Sequence, residues 1–535
     1  MSTHPEGAVG SPTGPPAGAE RPWWEPELTR RREFAEGLGG PEAIERHHDA
    51  GRLTARERIE ALVDPGSWRE TGVLTGRGDY DEHHRLVRVT PSSVVAGVGA
   101  VQSRALAVVA EDFTVRGGSS EATSPDKWQY VERLALEYRM PLVRLVDTAG
   151  GSVALLKQSG GSKIPGYPSW PVADLLATVP VVGVAMGAAA GLGAVRVVCS
   201  HFSVMVAGRS YVFAAGPRVV KAAVGEDVSA EELGGATMHV RRSGMVDNEA
   251  SSELEALDQV RAFLSYLPPS VHELPPVADC DDPADRADEW LATAIPRDGR
   301  KPYAVRAVLD SVFDSGSVFE IGRYHGRSQV TALARLDGHP VAVLANDPKQ
   351  WGGALTADSA EKLMRFVDLA DTFHLPVVNL MDQPGTFVGS AAESRGTVRV
   401  GLRAALAIEQ SRVPWATVFI RRAFGLAGSA YGPLGRHVNW RVAWPTAHWG
   451  SIPIAGGVES AYRREIESSP DPEATRRQLY AELAHLEDPF LTAERFGIND
   501  IIDPRTTRAT LCEWVRGAYR LLPEQLGVSR RTTRC

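Results

Sequence analysis

Val108-Val-Ala-Glu-Asp-Phe-Thr-Val-Arg-Gly-Gly118 and Val343-Leu-Ala-Asn-Asp-Pro-Lys-Gln-Trp-Gly-Gly353 are one pattern written twice, 343 − 108 = 235 residues apart. The same offset pairs Lys127 with Lys362, Pro141 with Pro376, Asp147 with Asp382 and Gly150 with Gly385 without a gap. One residue less, 414 − 180 = 234, pairs Pro180 with Pro414 and Ala190-Gly-Leu192 with Phe424-Gly-Leu426. Upstream, Asp64-Pro-Gly-Ser67 mirrors Asp314-Ser-Gly-Ser317. Solenoid repeats have periods of roughly 20–50 residues. A period near 235 instead implies two homologous domains.

Around these anchors each half alternates between strand and helix. Leu106–Ala110 and Val341–Ala345 are short apolar runs between polar turns, as buried strands are. Asp126–Tyr138 and Ser359–Phe373 have helical apolar spacing, with Leu363, Phe366, Val367 and Ala370 on one face of the second. Pro141 and Pro376 stop these helices, and Leu142–Val146 and Val377–Leu380 return as strands. After a second helix, Val181–Ala185 and Ala416–Ile420 complete the pattern. Such alternation predicts an α/β fold with parallel sheets covered by helices.

The 535 residues, 43% hydrophobic and 23% charged, supply ample core for two large domains. Residues 1–22, rich in Pro, Gly and Ala, read as a disordered tail. Residues 23–280 form the first domain and 281–525 the second, with the Pro- and Asp-rich segment Pro275–Asp298 crossing between them. A basic tail, 526–535, carries Arg530, Arg531 and Arg534 as a solvated end. Lys plus Arg number 58 against 66 Asp plus Glu, an acidic balance of −8 that argues against nucleic acid as a partner. The longest apolar stretch, Val179–Val195, is interrupted by glycines and is shorter than the ~18–20 residues of a membrane span. Cys199, Cys280, Cys512 and Cys535 form no CxxC pair, so neither a zinc ribbon nor a disulfide framework is expected. With no signal-peptide pattern at the start, the expectation is a cytoplasmic protein.

The strands end in small residues. Val146-Asp-Thr-Ala-Gly-Gly151 and Met381-Asp-Gln-Pro-Gly385 follow one pair of strands; Met186-Gly-Ala-Ala-Ala-Gly-Leu-Gly193 and Arg421-Arg-Ala-Phe-Gly-Leu-Ala-Gly428 follow another. Ligands of α/β sheets bind beyond the carboxyl ends of strands, and a small-residue turn entering a helix leaves backbone N–H groups free for an anion. No GxxxxGK[ST] loop, GxSxG elbow or HExxH site occurs. Asp147 and Asp382 read as turn caps before they read as general bases. The Glu111-Asp112 pair, which becomes Asn346-Asp347 in the second half, also reads as a turn. His374 reads as a helix-end residue favoured by the dipole. Trp351, Trp440, Trp444 and Trp449 gather in the second half, as core or as the floor of a pocket. Backbone donors without an obvious side-chain acid or base narrow the chemistry.

Four segments resemble the carboxyltransferase β subunits of biotin-dependent acyl-CoA carboxylases, of the propionyl-CoA and methylcrotonyl-CoA type. They are Arg52-Leu-Thr-Ala-Arg-Glu-Arg-Ile-Glu-Ala-Leu-Val-Asp-Pro-Gly-Ser67; Asp112-Phe-Thr-Val-Arg-Gly-Gly-Ser119; Glu231-Glu-Leu-Gly-Gly-Ala236 with His239 and Ser243-Gly244; and Gly352-Gly-Ala-Leu355. The resemblance runs from about residue 44 to about residue 520. It implies two tandem crotonase-like domains, the first holding acyl-CoA and the second carboxybiotin, assembled as a homohexamer with sites between domains of different subunits. CO2 would pass from biotin N1′ to the α-carbon of the thioester, with one backbone oxyanion hole for each enolate.

By position, the resemblance assigns catalytic roles to Gly191 and Leu192 in the first domain and to Gly425, Leu426 and Ala427 in the second. Leu192 and Leu426 stand where the family has a second glycine; a backbone N–H survives that exchange. Gly117, Gly118, Gly150, Gly151 and Ser429 are the expected substrate-binding positions, and no metal is expected. Ser429 stands where acetyl- and propionyl-type members differ, and it matches neither. No Met-Lys-Met biotinylation site or ATP-grasp loop is found, so biotin would arrive on a partner carrying biotin carboxylase and carboxyl carrier functions. Competing readings are a decarboxylase of dicarboxylic acyl-CoAs on the same turns and a noncatalytic assembly subunit.

Overall fold

A computed structural model describes residues 21–119, 124–154, 157, 167, 169–434 and 439–529. Most of the expected N-terminal tail, and Arg530, Arg531, Arg534 and Cys535 of the basic tail, lie outside the described residues. The strands of the first half are β1 (Arg69–Glu70), β2 (Gly76–Tyr80), β3 (Leu86–Pro91), β4 (Val94–Val101), β5 (Arg104–Glu111), β6 (Leu142–Thr148), β7 (Val181–Ala190), β8 (Phe202–Val206), β9 (Tyr211–Phe213) and β10 (Asn248–Ala250). Those of the second are β11 (Phe319–Glu320), β12 (Gln329–Leu336), β13 (His339–Asn346), β14 (Val377–Gln383), β15 (Trp415–Phe424), β16 (Trp440–Ala443), β17 (His448–Gly450) and β18 (Asp500–Ile501).

The two halves build the same sheet. The orders are β1-β4-β5-β6-β7-β8-β10, with β9 beside β7, and β11-β12-β13-β14-β15-β16-β18, with β17 beside β15. Register repeats as well: Arg144 lies opposite Gly183 on β6 and β7, and Asn379 opposite Thr417 on β14 and β15. Both pairs slip at the same place, between Val146 and Thr148 and between Met381 and Gln383. The sheets are parallel from β5 and β13 onward, but they open with antiparallel hairpins, β4–β5 and β12–β13. Sequence alternation does not reveal this mixed character, because buried antiparallel strands are as uniformly apolar as parallel ones.

Each opening hairpin turns through two residues of positive φ, Gln102-Ser103 and Asp337-Gly338, as a right-twisted two-residue hairpin requires. The repeated aspartates stabilise these turns. Asp64 accepts from the N–H groups of Gln102 (3.0 Å) and Ser103 (2.8 Å), and Asp314 from those of Asp337 (2.9 Å) and Gly338 (2.8 Å). The spacing from aspartate to turn falls from 102 − 64 = 38 to 337 − 314 = 23. The difference accommodates the β2–β3 hairpin, which has no counterpart in the second half. Within Arg52–Ser67, Thr54 and Glu57 form a capping box on the helix Ala55–Leu62.

One hydrophobic cluster spans both halves. Phe202 meets Phe319 edge-on at 5.5 Å, and His201 meets Phe373 at 4.8 Å. Asn248 donates to Glu320 O and accepts from Gly322 N–H. The segment Pro275–Asp298 runs along the second half, where Arg508 donates to the carbonyls of Asp282 and Pro283. Among the described residues, no helix is long and apolar enough to cross a membrane.

Candidate active site

Strand β7 ends at Ala190, Gly191 turns at φ 59° and ψ −115°, and the helix Leu192–Val198 begins at once. Its counterpart Gly425, φ 60°, follows β15 and opens the short helix Gly425–Gly428. A side chain is disfavoured at such φ, which explains why glycine stands at both points. Leu192 and Leu426 do not have positive φ, so leucine fits without backbone strain. Leu192, Leu426 and Ala427 lie in first helical turns, where N–H groups have no intrahelical acceptor. Gly191 differs from expectation. Its N–H donates to Phe213 O on β9 at 3.1 Å, so of the expected pair Leu192 is the one whose N–H has no intrahelical acceptor.

The expected binding glycines build the neighbouring wall. Arg116, Gly117 and Gly118 all have positive φ, and the N–H groups of Gly117 and Gly118 donate to Phe113 O and Val115 O, both at 3.0 Å. A Cβ on Gly118 would lie 2.3 Å from Asp147 O, so this position admits only glycine. Thr148 donates its hydroxyl to Gly118 O (2.6 Å) and accepts from Gly150 N–H (3.1 Å). Gly117, Gly118 and Gly150 therefore shape the wall and do not offer it free donors.

The two aspartates at the β-slips are buried and ion-paired. Asp147 accepts from buried Arg58 at 3.0 Å, and Arg58 is held in turn by Glu253. Asp382 is gripped by Arg421 (2.8 Å) and Arg422 (2.6 Å) and accepts from the Tyr303 hydroxyl. Burial opposes its ionisation, yet the two guanidinium groups hold the Asp382 carboxyl below the usual carboxylate range. Asp382 is therefore not free to act as a base, whereas Asp147 bonds Arg58 through Oδ2 alone, its buried Oδ1 has no hydrogen-bond partner among the described residues, and burial pushes its carboxyl above the usual range. Asp112 takes the expected turn role, accepting from Ala55 N–H and Thr114 N–H, but Glu111 does not: it pairs with buried Arg196. Burial pushes the Arg196 guanidinium down to about 9, which leaves it charged at neutral pH. A second buried pair, Arg144 with Glu132, lies beneath, capped by the Trp170 indole N–H on Glu132 at 2.7 Å. These four charges were not anticipated as one cluster, because their partners are distant in sequence.

His374 is buried, bonds through Nε2 to Val271 O at 2.7 Å, and has its pKa lowered by burial, so packing replaces the expected dipole contact. The four tryptophans do not form one pocket floor: Trp444 is core with Trp440 packed against the same cluster, Trp351 is exposed against Phe387, and Trp449 lines a cleft. Among the described residues no three His, Cys, Asp or Glu side chains converge as metal ligands.

Gly118, Gly150, Gly151 and Leu192 share one pocket of about 50 Å³ with Glu111 and Arg196. In the second half the turn separates two cavities. Leu426 and Ala427 face one of about 180 Å³, and Gly425, Gly428 and Ser429 face a cleft of about 240 Å³ with Tyr431, Arg441 and Trp449.

Residues 46–520 match the family described as the carboxyl transferase domain. The propionyl-CoA carboxylase carboxyltransferase subunit of Haloferax mediterranei is 35% identical over 91% of this chain and 94% of that protein. The mitochondrial propionyl-CoA carboxylase beta chain of Homo sapiens is 33% identical, covering 89% of this chain and 87% of its own. A transcarboxylase 12S hexamer solved with methylmalonyl-coenzyme A and methylmalonic acid superposes with a TM-score of 0.83 at 28% identity, covering 96% of this chain and 97% of that one. A single-chain, multi-domain long-chain acyl-CoA carboxylase gives 0.78 at 26% identity, over 93% of this chain and 49% of the other.

Proposed function

The chain belongs to the carboxyltransferase subunits of biotin-dependent acyl-CoA carboxylases, two tandem crotonase-like α/β domains, and we propose how its own residues divide the reaction. Residues 23–280 hold the acyl-CoA and residues 281–525 hold carboxybiotin delivered by a separate carrier. The N–H of Leu192 stabilises the thioester enolate, and those of Leu426 and Ala427 stabilise the biotin enolate left as CO2 departs. Biotin supplies the carboxyl group and takes the α-proton; the chain binds, orients and screens both partners.

The observation that carries this reading is the matched pair of strand-end turns, Gly191 and Gly425, each placing free N–H groups at the start of a helix. The two guanidinium groups on Asp382, and the full burial of Asp147 beside Arg58 away from the pocket lining, support a mechanism without a side-chain base. The kinship to propionyl-CoA carboxylases supports a propionyl-CoA-like substrate, and the transcarboxylase hexamer supports a homohexamer of two stacked trimeric rings. A cytoplasmic setting, where ATP and bicarbonate are available to the partner subunits, fits the same reading.

The test is fixation of radiolabelled bicarbonate across a series of acyl-CoAs. The chain alone is expected to fix none, and addition of biotin carboxylase with a biotinylated carrier to restore ATP-dependent fixation. Robust fixation by the purified chain, or none in the reconstituted complex with any acyl-CoA, would overturn the assignment.

A further inference from the structure

The two halves are filled differently beneath their matching turns. In the first, the space between sheet and helices holds Glu111, Glu132, Arg144 and Arg196. Trp128 lies 4.9 Å over Arg196, and Trp170 lies 5.6 Å over Arg144. The repeat offsets place Asn346, Val367, Asn379 and Ala430 at the four charged positions and Leu363 at Trp128. Sheet register agrees: Arg144 pairs with Val109 and Gly183, and Asn379 with the equivalent Leu344 and Thr417. Four charges and a large ring are thus removed at once. The pocket beneath grows from about 50 Å³ to about 180 Å³.

This cavity has a direction. Its exposed lining residues are Leu426 and Val398, and it reaches past Gln383 down β14 to buried Asn379. That is four residues, or about 13 Å at ~3.3 Å per strand residue. Hydrocarbon lines most of it, from Leu344, Leu355, Leu363, Met381, Val398 and Ile408. Among its amides, Gln329 and Asn346 bond each other and the backbone, and Gln383 accepts from Gly385 N–H. Asn379, 5% exposed, lines the far end and makes no side-chain hydrogen bond to a described residue. An apolar cavity of about 150 Å³ accommodates benzene, so this one accommodates a neutral group of about six or seven carbons.

We propose that this second-half cavity receives the apolar end of the substrate's acyl chain, extending the enzyme's range to acyl-CoAs well beyond propionyl. The inference rests on the carboxyltransferase reading, in which the acyl α-carbon must reach the carboxybiotin held at the Leu426–Ala427 turn for CO2 to pass. A narrow, deep and uncharged space suits an extended alkyl chain. The bicyclic ring of biotin, with its several polar groups, suits it less.

Ala404, on the helix Thr397–Glu409, lines the cavity and is buried. Ala404→Trp should fill it with a ring, as Trp128 and Trp170 fill the first half. In the reconstituted complex, kcat/KM for octanoyl-CoA and propionyl-CoA would be compared. The ratio of octanoyl to propionyl should fall tenfold or more in Ala404→Trp. The opposite variant, Leu363→Ala, lengthens the space and should raise the ratio of decanoyl to propionyl, giving a second arm should the tryptophan disturb assembly. An unchanged ratio in both variants would overturn the proposal. So would equal losses on both acyl-CoAs accompanied by loss of free-carboxybiotin decarboxylation, which would place biotin in the cavity. Failure to carboxylate any acyl-CoA would instead overturn the underlying function, an outcome visible in the unmodified complex.

Discussion

Leu192 occupies the first position of its helix, where the N–H has no intrahelical acceptor and the fixed φ of proline is favourable. Leu192→Pro therefore removes the proposed oxyanion donor while leaving the helix able to form. Loss of one such donor costs about 100–1000-fold in rate. That loss is expected in acyl-CoA carboxylation, with slow decarboxylation of free carboxybiotin and the thermal midpoint largely retained. Leu192→Ala keeps the N–H and should alter KM more than kcat. Near-normal turnover of a folded Leu192→Pro protein would remove this donor from the mechanism. Residue-scale legibility was uneven for a physical reason. Glycine at Gly191 and Gly425 is demanded by local φ, so the repeated pattern exposed both positions. That the Gly191 N–H is already occupied depends on Phe213 in a three-residue strand, and Glu111 meets Arg196 across 85 residues. Neither fact has a local signature.

At the scale of elements, two repeated residues prove to be structural. The Asp64 carboxylate satisfies the Gln102 and Ser103 N–H groups of a left-handed turn, so Asp64→Ala leaves both without their partner. The expected cost is about 1–3 kcal/mol, seen as a lower thermal midpoint, while the specific activity of the folded protein changes little. A midpoint equal to that of the parent would mean that the turn forms without its cap. Lys362 is the second case. Its ammonium group is buried and donates to Gly322 O (2.9 Å) and His325 O (2.7 Å), and burial pushes its pKa down to about 7 from 10.5. Between these values the unfolded chain binds a proton that the folded one does not, so stability from this group rises with pH above about 7 and is lost as pH falls through it. Lys362→Met should flatten the rise of thermal midpoint between pH 7 and pH 10; an identical slope in both proteins would show that Lys362 stays charged when folded. Helices and strands themselves were legible, since Leu363, Phe366, Val367 and Ala370 all prove buried. The antiparallel hairpins were not, because direction is carried by two turn residues and not by apolar pattern.

At the scale of the whole molecule, the duplication was legible because its anchors are constrained by backbone geometry, whereas the difference between the halves lies in scattered interior substitutions. The surface carries a further consequence. On the helix Thr397–Glu409, Leu402 and Leu406 are 47% and 49% exposed, and Val398, Val388 and Trp351 are also uncovered. Neighbouring apolar side chains of this kind mark surfaces that associate. The proposed function requires the second domain of one chain to face the first domain of another, and this helix flanks the Leu426 turn, because residues of both line the same cavity. The helix is therefore expected to lie in the contact that completes the site. Leu402→Glu combined with Leu406→Glu would bury like charges there and leave the chain's own core untouched. Light scattering should report a change from six times the chain mass to smaller species, with circular dichroism retained and carboxylation lost in parallel. A doubly charged variant that remained hexameric and fully active would exclude this face from the catalytic interface.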